Sequence, residues 1–142
     1  MNARPDIDAF PLDFRNLVRP GRPVDYLMLP PHFESAANQD AESPVFDATP
    51  DALRQAWLEL MAATPRTTQL NGGPEGLQLQ FVQRSAVFRF PDFIWVEFLP
   101  VADGSALAAY SRARFGVTDF GVNRKRIEGW VKRLAARIQA GS

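Results

Sequence analysis

The sequence predicts an α+β domain, a compact and mainly antiparallel sheet of about four strands with two principal helices and an N-terminal extended arm. Three observations carry that prediction. Leu77, Leu79 and Phe81 alternate with Gln78 and Gln80, the period-2 signature of a strand with one apolar face. Leu53, Ala56, Trp57, Leu60 and Met61, and later Ile127, Trp130, Val131, Leu134 and Ile138, recur at three- and four-residue spacing, as one face of a helix does. The first 43 residues are rich in proline and lack either period.

Residues 1–43 therefore read as an arm packed on a single α+β domain of residues 44–142. Phe10, Leu12, Phe14 and Leu17 supply its apolar anchors, and Val24 to Leu29 reads as a short strand or extended piece stopped by Pro30 and Pro31. Glu34 to Ser43 is polar and reads as a loop. The first helix starts after Thr49, a good N-cap, because Pro50 needs no N–H at the first helical position and Asp51 complements the positive helix end. Pro65 marks its exit.

Strands follow. Arg66 to Leu70 is a short one, a turn is expected at Asn71-Gly72-Gly73-Pro74, and the wet face of the Gln78 strand could line a groove. Val87 to Phe90 and Phe93 to Leu99 are further extended candidates, the latter apolar on both faces and hence central. A turn at Asp103-Gly104 joins it, as a hairpin, to a strand ending near Phe115. Both helices are expected on one sheet face, leaving the other to the arm, a ligand or a second subunit.

Composition narrows the chemistry. With 142 residues the chain is one ordinary domain, and the absence of cysteine removes disulfides, thiolate nucleophiles and cysteine-ligated metals. No apolar run reaches membrane-spanning length and MNARPDIDAF carries no hydrophobic signal segment, so the expectation is a soluble cytoplasmic protein. The formal net charge of zero hides an asymmetry, −6 over residues 1–110 and +6 over residues 111–142. Nucleic acid is disfavoured as a partner because so much acid offsets the basic end. His32, the one histidine, reads as structural or exposed, and neither a metal site nor a cofactor motif is expected.

The strongest local constellation is the basic strand-turn-helix YSRARFGVTDFGVNRKRIEGWVKRL. Arg112, Arg114, Arg124 and Arg126 are its candidate ligand-binding residues. Gly116 and Gly121 permit tight backbone, Asp119 can cap a helix or hold an arginine, and Asn123 can turn its amide to a loop carbonyl. Arginines at a helix N-terminus oppose the helix dipole unless they are paired or meet an anion. The function expected is thus binding of an anionic small molecule or an acidic protein partner. The alternatives are an enzyme using Asp92 with Glu97 or Asp119, and a structural domain that forms homo-oligomers. Trp57, Trp95 and Trp130 read as core.

The pattern SRARFGVTDFGVNRKR, with Ser111-Arg112, Gly116, Asp119, Gly121, Asn123-Arg124 and Arg126, resembles the bacterial family of unknown function DUF1499. SPVFDATPDALRQAW, Val87 to Asp92 and FIWVEF extend the resemblance over roughly Asp13 to Leu134. Many members carry a cysteine motif before the first helix, which is missing in this chain. The resemblance implies a domain and brings no activity, ligand or catalytic residue with it.

Overall fold

The computed structural model describes residues 9–73 and 76–141. Most of the N-terminal stretch read as free of a signal segment, and Pro74 of the expected turn, lie outside the described residues. Helix α1 spans Pro50–Ala62 and opens as expected, with the Thr49 hydroxyl accepting from the backbone N–H of Ala52. Helix α2 spans Val122–Ala140. Among the described residues six strands form one sheet: β1 Asp25–Leu29, β2 Ala41–Glu42, β3 Thr67–Asn71, β4 Gln78–Arg84, β5 Pro91–Val101 and β6 Gly104–Ala113, in the spatial order β2-β1-β6-β5-β4-β3. Every pairing is antiparallel except β1 with β2.

The sheet is wider than the expected four strands because β1 and β2 join its edge. Leu27 and Leu29 face one side while Tyr26 and Met28 face the other, and all four are buried, so no apolar/polar alternation announces β1. Two-residue β2 is too short to have a period. The expected extended piece at Val87 to Phe90 belongs instead to the turn linking β4 to β5, closed by Ser85 and Phe90, whose backbone and side-chain groups bond at 3.0 Å. At the β5–β6 hairpin Gly104 has φ +149, and a Cβ there would lie 2.0 Å from the Phe46 carbonyl oxygen. Only glycine lets the segment before α1 cross the hairpin so closely.

Both helices lie on one sheet face. Trp57 and Trp130 meet edge-on at 5.7 Å over Leu79, Ile94, Val96, Phe98 and Leu107. The other face carries Leu27, Leu29, Val82, Phe93, Trp95 and Tyr110, covered by Leu12, Phe14 and Leu17. The Gln78 side of β4 is therefore neither wet nor a groove. Gln78 accepts from the Leu12 N–H at 2.6 Å and donates to the Leu12 carbonyl at 3.0 Å, so an amide side chain serves as a strand edge for the arm. Gln80, on the same side, is buried and accepts from Asn71 Nδ2 at 2.6 Å.

Candidate functional site

The candidate residues sit on β6, the loop after it and the first turns of α2. Alternation along β6 sends Ser111 toward the helices and Arg112 to the opposite face, beside Asp25 and Phe93 in register. The chain then runs through Gly116, φ 99, and Gly121, φ 78, before α2 begins. Gly121 offers no side chain to cap the helix, and Asp119 does so from two residues earlier. Its Oδ1 accepts from the Gly121 N–H at 2.8 Å and its Oδ2 from the Asn123 N–H at 3.3 Å. Asn123 Nδ2 donates to Asp119 Oδ2 at 2.7 Å and to the Val24 carbonyl at 3.1 Å, while the Asp119 N–H donates to the Pro23 carbonyl at 2.8 Å. The loop is thereby tied to the segment entering β1.

Arg126 closes the same cluster. Its guanidinium pairs with Asp92 at 2.9 Å and donates to Gln83 Oε1 at 2.6 Å, Asn123 Oδ1 at 2.7 Å and Ser111 Oγ at 3.1 Å. Four partners from three strands and the helix satisfy its fork of donors. Burial raises the Asp92 carboxyl above its ordinary pKa, Arg126 opposes that rise, and the nearby charge of Asp119 adds to it. Asp92 and Asp119 thus flank one arginine. Glu97 lies on the other face of the sheet, bonded to Gln78 Nε2 at 2.8 Å, so Asp92 and Glu97 do not converge.

The four arginines do not form one surface. Arg126 and Arg112 are inside, whereas Arg124 and Arg114 are exposed. Arg124 pairs with Glu128 one helical turn on, at 3.3 Å, and borders a cleft of about 390 Å³. Asp25, Asp40, Asp119 and Glu128 also line that cleft, which makes it a poor receptacle for an anion. Arg114 projects from the far end of β6, where its guanidinium lies 5.3 Å from the centre of the Phe115 ring. Phe115 meets Phe90 edge-on at 6.4 Å, and Phe90 stacks on Phe88 at 5.5 Å. Arg84 and Arg89 stand on the same β4–β5 turn as those two phenylalanines, and both are exposed.

Sequence reasoning missed a second ionic cluster on the arm face. Arg19 forks onto Asp25 at 2.9 and 3.0 Å and reaches Asp40 at 2.6 Å, and the Tyr110 hydroxyl donates to Asp25 at 2.7 Å. Burial works against the Arg19 charge, but the two carboxylates more than offset it and raise its pKa. Across the sheet edge, burial and then the bond to Glu128 push the Tyr26 hydroxyl up to about 12. No local spacing could have joined Asp25 to Tyr110, since only strand register brings them together. His32 is exposed in a turn with φ 61, away from both clusters. Among the described residues no group of three His, Cys, Asp or Glu could hold a metal ion, and no helix is long and apolar enough to cross a membrane.

A family model described as "Protein of unknown function (DUF1499)" matches residues 26–134, which contain both edges of the sheet and the whole Asp119–Asn123–Arg126 cluster. The chain belongs to the DUF1499 family. No curated protein matches this DUF1499 chain. A solved crystal structure, protein CV1439 from Chromobacterium violaceum, aligns over 68% of this chain and 93% of its own at 14% identity and a TM-score of 0.46.

Proposed function

We propose that this DUF1499 domain is a non-enzymatic binding module that recognises an anionic partner with the exposed arginines at the end of β6 and on the β4–β5 turn. One observation carries the reading. The arginines of the basic motif divide into an inner pair that is held in the fold, Arg112 and Arg126, and outer residues that face solvent, and of the latter Arg114 stands with Arg84 and Arg89 around one aromatic cluster. Residues 84–91 and 112–118 contain no aspartate or glutamate, and Asp119, the one acid of the second loop, is taken up in capping α2. The inner cluster fixes the loop backbone, which lowers the entropy lost when a partner engages the outer arginines. The cleft beside Arg124 is the weaker place for an anion because carboxylates border it.

Titration with a fluorescent polyglutamate peptide at low salt tests the reading. The native protein should bind, and an Arg84→Gln, Arg89→Gln, Arg114→Gln variant should bind about tenfold more weakly or worse, with a flatter salt dependence. Absence of binding by the native protein, or equal binding by the folded variant, overturns it.

A further inference from the structure

The same end of the molecule carries an apolar feature that the basic motif does not explain. Phe88, Phe90 and Phe115 are 73%, 55% and 58% exposed, although their rings form one contiguous group. Val87 and Val117 add further exposed apolar surface on the same two loops, and Phe120, later in the second loop, is exposed as well. Eleven phenylalanines serve this chain, and those within β4 and β5, Phe81, Phe93 and Phe98, are buried, so leaving three clustered rings in water is a local departure from how the sequence uses them.

The loops that display these rings are firmly based. The Arg84 N–H donates to the Arg66 carbonyl at 3.0 Å, Arg66 Nε returns a bond to the Arg84 carbonyl at 2.9 Å, and Arg84 Nη1 donates to the Arg89 carbonyl at 3.1 Å. The Arg114 N–H donates to the Pro91 carbonyl at 3.2 Å and ties the second loop to the first. The rings therefore crown two turns at the tip of the sheet and do not line the cleft beside Arg124. Around them stand Arg84, Arg89 and Arg114, all exposed.

We propose that this tip is a membrane-surface docking site, in which Phe88, Phe90 and Phe115 enter the interfacial zone of an anionic lipid bilayer while Arg84, Arg89 and Arg114 meet its headgroups. The proposal rests on the anion-binding reading above and names its partner. Two properties choose a bilayer over a folded protein. A protruding apolar tip needs a yielding surface rather than a matching pocket, and a fluid interface supplies one. The exposed arginines, with the second loop's one acid, Asp119, turned to the start of α2, complement the negative potential of anionic lipid, each adding a few-fold to affinity while the rings add the apolar part.

Flotation with lipid vesicles tests this on the full chain. Native protein should float with phosphatidylcholine vesicles containing one-third phosphatidylglycerol and remain behind with phosphatidylcholine alone. Phe88→Ser, Phe115→Ser should lower partitioning about tenfold or more, and Arg84→Gln, Arg89→Gln, Arg114→Gln by roughly a hundredfold. Both variants must keep the native thermal midpoint, and a milder Phe88→Leu, Phe115→Leu variant that retains vesicle binding confirms that apolar character is what counts. Failure of native protein to float, or equal flotation by the Phe88→Ser, Phe115→Ser variant, overturns the membrane proposal. Polyglutamate binding by that same variant separates the two readings: if it persists while flotation is never seen, the anion site stands and the bilayer falls. Sedimentation velocity showing a native dimer that this variant dissolves would assign the tip to a second copy and likewise overturn the proposal.

Discussion

On the helix side of the sheet, Trp57 is wholly buried against Phe98 and Trp130, and its indole N–H has no hydrogen-bond partner among the described residues. On the arm side, Trp95 is just as buried, but its indole N–H donates to the Ala9 carbonyl at 2.8 Å. The contrast extends beyond the two tryptophans. Long amphipathic helices close one face by shape and apolar area, their backbone groups already satisfied internally. A short irregular arm closes the other face, and its backbone must be satisfied by side chains that reach up from the strands, Gln78 and Trp95 above all. The centre of the first face is held by burial, with polar contacts confined to the Arg126 corner, and the second by burial plus fixed polar fastenings.

The largest effect that separates the faces should come from Trp57→Ala, which empties the centre of the helix side and should cost about 3–5 kcal/mol. Urea unfolding followed by circular dichroism should show one cooperative transition at a much lower midpoint. Trp57→Phe should cost far less than Trp95→Phe, because only the latter also removes a satisfied hydrogen bond. Equal losses for the two Phe variants would remove the distinction between the faces.

Arg126→Ala sharpens the comparison from the polar corner of the helix side. Its side chain is 9% exposed and that of Asp92 14%, so removing one partner should cost about 3 kcal/mol at neutral pH. The pH dependence has a defined sign. Asp92 already has a folded pKa above its unfolded value, so the folded state holds that proton more tightly and this contribution to stability is lost as pH rises through the folded pKa. Arg126 lowers that pKa, and its removal must raise it further. The deficit of the variant should therefore shrink as pH falls from neutral through the acid range in which Asp92 takes up its proton. Denaturant midpoints measured across that window check it, and a deficit that stays constant or grows in acid would contradict the role given to Asp92.

How far the sequence disclosed these features follows from what each element needs. Helices α1 and α2 were legible because Leu53, Trp57 and Leu60, or Ile127, Trp130 and Leu134, write their period within a few residues, and Thr49-Pro50-Asp51 marks a start. Strand β4 was legible from its alternation, β5 from its long apolar run on both faces, and β6 from the Asp103-Gly104 turn that pairs it with β5. Strand β1 was ambiguous because burial on both sides erases alternation, and β2 is carried by one short pairing with β1. At the candidate site, the roles of Asp119 and Asn123 follow from their positions around Gly121. The fate of the arginines does not: adjacent parity put Arg112 on the opposite face from Ser111, and Arg126 met Gln83 and Asp92 only through the register of β4 and β5. The aromatic tip was hidden because Phe88, Phe90 and Phe115 resemble core residues until strand ends place them outside.

The smallest effect should come from Gln78→Leu, and it addresses the arm face directly. Gln78 bonds both the N–H and the carbonyl of Leu12, and also Glu97, so replacing its amide leaves these groups without that partner. Leucine retains most of the volume, and the groups it strands can reach water once the arm lifts, so the global cost should be only about 1 kcal/mol. The local effect should be much larger in proportion. Leu12, Phe14 and Leu17 bury their side chains on the sheet, but the described backbone between Pro11 and Asp13 gains its hold on β4 through Gln78. Hydrogen exchange should therefore accelerate at the Leu12 amide while the amides of β5 and β6 keep their native protection. Faster exchange throughout the sheet would mean that the arm and the helix-covered core open as one unit, and that the polar fastenings of one face and the packing of the other are not separable after all.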